Sequence, residues 1–382
     1  MLNVLSFLGF LIFFNPLSVF AYLISLMVSG LATFLTMKRN LKPLDVFVVF
    51  LSLIGSVFAL FKFPNVYVTS GFLSALSYIS FYPFVCFALL LNIDYEVVVR
   101  RLFLSVLTYG IPTMIFASLF FAPPNSSFNG YSTLPNLLGF SVNRVFFPFT
   151  GGVNHFGVVL GFCLVVSSSF YLDFLRKIIW FSGFFVLVIF VDSRGALLAL
   201  SASLVFSKVK FFPTAVWIFA PFAMVSIGLF FVLSTDLLLS RDNSTLFSQR
   251  EYLWALGIAG LKQMTFGDFL FGYGVNGFMY NKVATNVSNF FAYRNSIGSL
   301  HNAHLTLLYD FGLFGLLLFL AISCKILVNI RCLSGVPRII SVRCFIYLSI
   351  ASATETVYSF NYILLFMIFI FVSQFRRPRL DN

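Results

Sequence analysis

Charge is what this 382-residue chain lacks: only 9% of its residues are Asp, Glu, Lys or Arg, against a 60% hydrophobic majority. No soluble domain hides so much apolar surface behind so little charge, because a water-facing exterior needs far more of it. Acid is scarcer than base, with 12 acidic residues to 24 basic and a net charge of +12. Clustered, that excess would suit nucleic acid. Here the basic residues are spread through short connections between apolar runs, as orientation in a membrane requires, so nucleic acid is not the expected partner. The five cysteines (Cys86, Cys163, Cys324, Cys332 and Cys344) fall in predicted spans or inner loops. They offer neither a disulfide framework nor a thiolate metal site. A basic leader is missing too: the first positive charge is Lys38, so the N-terminus does not read as a cleavable signal peptide. No internal repeat or low-complexity tract stands out.

What is present is phenylalanine, 55 times over, in uncharged runs long enough to make lipid the solvent. The expected fold is an all-α integral membrane protein of about 12 transmembrane helices by the ~20-residue rule. Their approximate positions are 2–15, 17–36, 44–62, 71–92, 101–121, 152–172, 178–192, 195–207, 212–234, 303–324, 341–357 and 360–375. The first two divide at Asn15-Pro16, because proline removes a backbone donor and ends or kinks a helix. Most basic residues lie in six connections: Lys38/Arg39/Lys42, Arg100/Arg101, Arg176/Lys177, Lys208/Lys210, the stretch from Lys325 to Arg343, and Arg376/Arg377/Arg379. Assigned to the cytoplasm, these place both termini there as well. Residues 178–207 would reach roughly 45 Å as one helix, too long for a ~30 Å hydrocarbon core. A hairpin turning at Ser193-Arg194-Gly195 is expected instead, with Arg194 at the outer surface. The chain 1–382 thus reads as one polytopic domain with two large outer loops, about 122–151 and 235–302.

The polar capacity gathers in the longer loop. SQREYLWALGIAG (248–260) reads as an amphipathic helix carrying Arg250 near its start, and Tyr252, Leu253 and Trp254 suit a membrane interface. GYGVNG (272–277) fits GxGxxG, but no strand–turn–helix context supports a dinucleotide site. A tight turn returning the chain to the bilayer is the better reading. Then comes HNAHLTLLYDFGLFG (301–315), which sets two of three histidines at the lip of an apolar run. In a helix His301 and His304 share a face, and Gly312 and Gly315 would let a neighbouring helix approach closely. A zinc site is not expected, since His155 belongs to another loop and no outer cysteine completes a set.

Each candidate also has a plainer reading. His301 suits an interfacial histidine bonded to a headgroup or a backbone carbonyl. Arg194 suits a helix-end arginine reaching headgroups or paired with Asp192, and Arg250 a solvated loop charge.

Taken together, these elements resemble the bacterial O-antigen ligase and O-antigen polymerase superfamily. His301-Asn302, nine residues, then Gly312-x-x-Gly315 is similar to its signature before a late transmembrane helix. Arg194 to Leu198 in SRGALLAL resembles its Arg-x3-Leu element, and FTGGVNHFG (149–157) its earlier outer-face segment. Arg250, Trp254 and GYGVNGF follow the order of elements in its large periplasmic loop. The resemblance covers about residues 149 to 320, and His304 lies outside the pattern.

It implies glycosyl transfer at the periplasmic face of the bacterial inner membrane, from an undecaprenyl-pyrophosphate-linked oligosaccharide. The acceptor is a second lipid-linked glycan for a polymerase, or lipid A-core for a ligase; polymerase is the expectation, with ligase as the alternative. A chain-length regulator is a further partner that a polymerase admits, beside the membrane lipids. Arginine stays charged and grips phosphate oxygens with paired donors, so Arg194 and Arg250 are the expected pyrophosphate clamps, with no metal and no cofactor. His301 is the expected general base, because neutral imidazole titrates in the range the task needs. Arg144, Arg241 and Arg294 are further candidates for glycan or pyrophosphate contacts, and Glu355 for pairing with an arginine. A lipid-linked glycan flippase is the alternative of another class, though transporters carry mid-membrane ionisable groups and repeated halves.

Overall fold

A computed structural model describes residues 43–70, 75, 78–79, 81–82, 116, 139–140, 153–168, 173–210, 212–216, 218–219, 226, 250–274, 277–280 and 300–354. Among these residues all regular structure is helical. Helix α1 is Pro43–Ser70, α2 Val153–Ser167, and α3 Phe174–Val186, which runs on into a π turn, Leu187–Val191. Then follow α4 Arg194–Phe206, α5 Arg250–Leu261, α6 Phe266–Phe271, a 3-10 turn Gly277–Tyr280, α7 Ala303–Cys332 and α8 Gly335–Thr354. Among the described residues three segments are long and apolar enough to cross a membrane: Val49–Val66 within α1, Phe174–Val191, and Ala303–Cys332. Along α1, Phe47, Phe50, Leu53, Leu60 and Phe61 are exposed. An apolar face of that extent belongs against lipid. The described part is that of an all-helical membrane protein.

Several expected boundaries move. Helix α1 does not stop at residue 62 but runs through Pro64 to Ser70, so Lys62 sits inside it. The expected inner connection from Lys325 to Arg343 is not a loop. Helix α7 continues to Cys332, α8 starts at Gly335, and Lys325 is buried within α7. Arg331 occupies the last turn of α7, where a cation opposes the negative end of the helix dipole. Basic residues near a span end are thus absorbed into helix instead of ending it.

The turn after α3 lies one residue earlier than expected. Asp192 takes a left-handed conformation at φ 48°, Ser193 follows, and Arg194 is already the first residue of α4. Both arms pack on α2. Trp180 Nε1 donates to Leu164 O at 2.9 Å, and a Cβ on Gly157 would stand 2.3 Å from Ser193 Cβ. Helix α8 runs antiparallel to α2: Arg343 donates to Ser168 O at 2.8 Å, and four residues on Tyr347 donates to Val158 O at 2.7 Å. Gly161 makes room for the Tyr347 ring, where small residues in a membrane helix admit close neighbours.

Helix α7 is broken. Gly312 has φ 67° and ψ −166°, far from helical values, so the element is two half-helices meeting at this glycine. His304 and Phe319 meet edge to face with ring centroids 5.3 Å apart. In a straight helix those residues would be separated by about 22 Å along the axis. The expectation that Gly312 and Gly315 form a helix-packing face therefore fails. A Cβ on Gly312 would lie 2.3 Å from the carbonyl carbon of Leu270, so it is the end of α6 that presses against this glycine.

A break strips carbonyls of their i+4 donors, and lipid supplies no water to replace them. The GYGVNG segment supplies the donors. Tyr273 N–H bonds to Tyr309 O at 2.8 Å, and Gly274 N–H to Asp310 O at 3.0 Å. Gly277 N–H reaches the Asp310 carboxylate at 2.7 Å, and the Tyr82 hydroxyl donates to Phe311 O at 2.9 Å. All three glycines have a steric reason. A Cβ would strike Asp310 O at Gly272, Val66 at Gly274, and Tyr309 O at Gly277. The tight turn expected from the sequence is a strap across the broken helix.

Gly312→Ala combines a left-handed φ with this backbone clash, whereas Gly335 has φ 62° and open space around its Cα. Gly335→Ala is expected to cost about 1 kcal/mol, and Gly312→Ala at least about twice that. Apparent melting midpoints of the two variants in detergent check the order.

Candidate functional site

Asn302 organises the candidate site. As N-cap of α7 its Oδ1 accepts from the amides of His304 and Leu305, both at 3.0 Å, satisfying donors that a helix start leaves open. Its Nδ2 donates to Ala353 O at 3.2 Å, so the same buried side chain ties the head of α7 to the last turn of α8. His301 comes directly before it, half-buried and held at φ 48°. Such a conformation is uncommon for a residue with a Cβ, and here the chain is fixed on both sides by buried Leu300 and capped Asn302.

Arg250 arrives at the same place from the large loop. It is the first residue of α5, and its Nη1 donates to Thr354 O. The carbonyls of Ala353 and Thr354, the last described residues of α8, thus receive a carboxamide and a guanidinium. Helix α5 is held there by Tyr309, whose hydroxyl donates to Gly257 O at 2.7 Å, and by an apolar cluster of Leu253, Trp254, Phe278, Leu300 and Leu305. Trp254 is fully buried in that cluster, which corrects its expected place at the membrane interface. Alternation of one helical face cannot tell a lipid boundary from a protein one.

Arg194 lies at the same end of the helix group, exposed at the start of α4. Ser193 packs on Gly157, α2 meets Tyr347 at residues 158–161, and α8 needs only about 10 Å more to reach Thr354. The structure therefore brings Arg250 and Asn302, which directly follows His301, onto neighbouring carbonyls of α8 and sets Arg194 on the same side. Ser193 Oγ and His304 Nδ1 are buried there without a hydrogen-bond partner among the described residues. Buried polar atoms of that kind ordinarily find water or a ligand. His155 falls in the first turn of α2, at this end as well. Arg144, Arg241, Arg294 and Glu355 lie outside the described residues. Among the described residues no three of His, Cys, Asp or Glu converge to hold a metal ion.

The sequence reading passes over two groups beneath the site. Asp310, 1% exposed, is a lone acid in an apolar run, and that signal alone marks a residue with a specific partner. Lys62 Nζ donates to Asp268 Oδ1 and to Gly272 O, both at 2.6 Å, a pairing that no local pattern announces. Half-buried Tyr273 has its hydroxyl pushed above the ordinary phenol range, by burial first and then by the Asp268 carboxylate. It stays a neutral hydroxyl at physiological pH.

No family model matches the chain, and neither the curated proteins nor the solved structures yield a match. The class that the described residues define is a helical membrane protein, with Arg250 and Asn302 converging on α8.

Two substitutions separate the roles of Asn302. Asn302→Asp keeps the cap but loses the donor to Ala353, while Asn302→Ala loses both. The alanine variant is expected to cost about 1–2 kcal/mol and to speed amide exchange at Leu305, with slow exchange retained in the aspartate variant. Thermal unfolding and hydrogen exchange in detergent give the comparison.

Proposed function

We propose that this protein is a membrane glycosyltransferase acting on undecaprenyl-pyrophosphate-linked glycans at the periplasmic face of a bacterial inner membrane. Of the two variants, an O-antigen or surface-polysaccharide polymerase is preferred, with O-antigen ligase as the alternative. The observation that carries the proposal is the convergence of Arg250 and of Asn302, the neighbour of His301, on the Thr354 and Ala353 carbonyls of α8, with Arg194 on the same side. Twelve spans with both termini in the cytoplasm complete the proposed topology.

The chemistry suits those groups. An acceptor sugar hydroxyl attacks the anomeric carbon of the donor, its proton passes to neutral His301, and the bond to the pyrophosphate oxygen breaks. Undecaprenyl pyrophosphate departs with the electron pair. Arg194 and Arg250 hold the charge it carries, each as a planar fork matched to phosphate oxygens. Helix α4 begins at Arg194, α5 at Arg250 and α7 just after Asn302. Three helix N-termini on one side favour an anion further. The flippase reading gains less support. Broken helices in transporters use freed carbonyls to bind coupling ions, whereas those of Tyr309, Asp310 and Phe311 already accept N–H and O–H donors.

His301→Ala is expected to lower transfer at least about a hundredfold with membrane insertion unchanged, and near-normal transfer would remove the histidine from the mechanism. Arg194→Lys keeps charge without the fork and is expected to lose about tenfold or more. Because guanidinium groups do the holding, transfer is expected to survive EDTA; complete loss restored by a divalent ion would reject that scheme. Deletion followed by lipopolysaccharide gels separates the variants. Single-repeat glycans on core mark a polymerase, and polymer left on its lipid carrier marks a ligase.

A further inference from the structure

We propose that Lys62 is a positioning residue for His301, acting through the strap that sets the angle of the broken helix. The inference rests on the reading of His301 as general base. The half-helix 303–311 carries Asn302 and His301 at its far end and turns at Gly312. Its own hydrogen-bond ladder does not pass through the hinge, so its direction depends on contacts from outside it: Asn302 to Ala353 and Tyr309 to Gly257 along the arm, and whatever grips the hinge. That grip comes from Tyr273, Gly274 and Gly277, whose amides bond to Tyr309 O, Asp310 O and the Asp310 carboxylate.

Three contacts from other elements hold the strap itself. Tyr78 hydroxyl donates to Phe271 O at 2.5 Å. Lys62 Nζ donates both to Gly272 O and to Asp268 Oδ1. Asp268 belongs to the capping turn of α6, with Thr265 accepting its amide and donating to its second oxygen. One ammonium from α1 therefore fixes the start of α6 and its end together. The Lys62 and Asp268 side chains are about one-fifth exposed, so the pair is partly buried with water at its edge. Its consequence is geometric.

The lever arm from Gly312 to His301 is about 15 Å, so a rotation of about 5° displaces the imidazole by about 1 Å. A misplacement of that size costs up to about a hundredfold in rate. Asn302 still anchors the far end to Ala353, so loss of Lys62 relaxes the arm without freeing it. A loss of about tenfold is the expected size.

The test uses the full chain in detergent, with extracted undecaprenyl-pyrophosphate oligosaccharide as donor. Lys62→Met, close in shape and uncharged, is expected to lower kcat about tenfold with KM for donor within about twofold. Lys62→Arg is expected to recover most of kcat, because its fork reaches both acceptors. In a His301→Ala background Lys62→Met is expected to add no further loss, since it acts through that imidazole. Amide exchange at Tyr273 and Gly274 is expected to rise about tenfold in Lys62→Met, a readout independent of turnover. Unchanged exchange would overturn the lock. Unchanged kcat, a loss confined to KM, or an equal further loss in the His301→Ala background would overturn the positioning role. Should His301→Ala itself remain fully active, the general-base reading fails, while the exchange result still judges the lock. If Lys62→Met does not accumulate in membranes, Asp268→Asn, which keeps an acceptor but removes the charge, is read the same way.

Discussion

Three backbone carbonyls of buried residues, at the break in α7, govern this structure. Tyr309, Asp310 and Phe311 lose their helical partners because the chain turns at Gly312. An amide or carbonyl left unpaired in hydrocarbon costs several kcal/mol, so the turn can exist only if donors come from elsewhere. They come from two amides of the strap and one tyrosine hydroxyl. Close approach then demands glycine at 272, 277 and 312, where any Cβ would strike backbone. Turn, glycines and strap are one solution to one requirement.

The candidate site inherits its shape from that solution. Since the first half of α7 folds back, Asn302 lies against α8 and His301 directly precedes it in the chain. Tyr309, in the same half-helix, reaches across to Gly257 and so brings α5 and Arg250 alongside. Positive and polar groups then meet the Ala353 and Thr354 carbonyls of α8, while the start of α4 contributes Arg194 from the same side. A straight α7 would have carried the histidine about 15 Å or more away from the hinge in the opposite direction, parted from these partners.

How much of this is legible residue by residue depends on the range of the interaction. Asn302 is readable as a cap, because an amide side chain before an apolar helical run satisfies the next amides locally. Helix α5 and its leading Arg250 are readable for a similar reason. Gly312-x-x-Gly315 is misread, since the same spacing serves a helix-packing face and a break; only the identity of the partner, the carbonyl of Leu270, distinguishes them. Trp254 is misread because an aromatic ring suits a buried satellite cluster as well as a membrane boundary. Lys62 passes unnoticed because its acceptors are 206 and 210 residues away.

Poverty of charge and length of apolar run, read without any structure, already determine that the chain is helical and lives in lipid, because the bilayer imposes those two properties on every segment separately. Where the helices stop, that one of them breaks, and which polar groups share an end of the bundle are decided only in three dimensions. Those outcomes depend on donors and surfaces from segments far apart in the chain, such as Tyr82 for Phe311 at a separation of 229 residues and Arg250 for Thr354 at 104. A local pattern records what a residue offers; which partner takes up the offer is settled by packing.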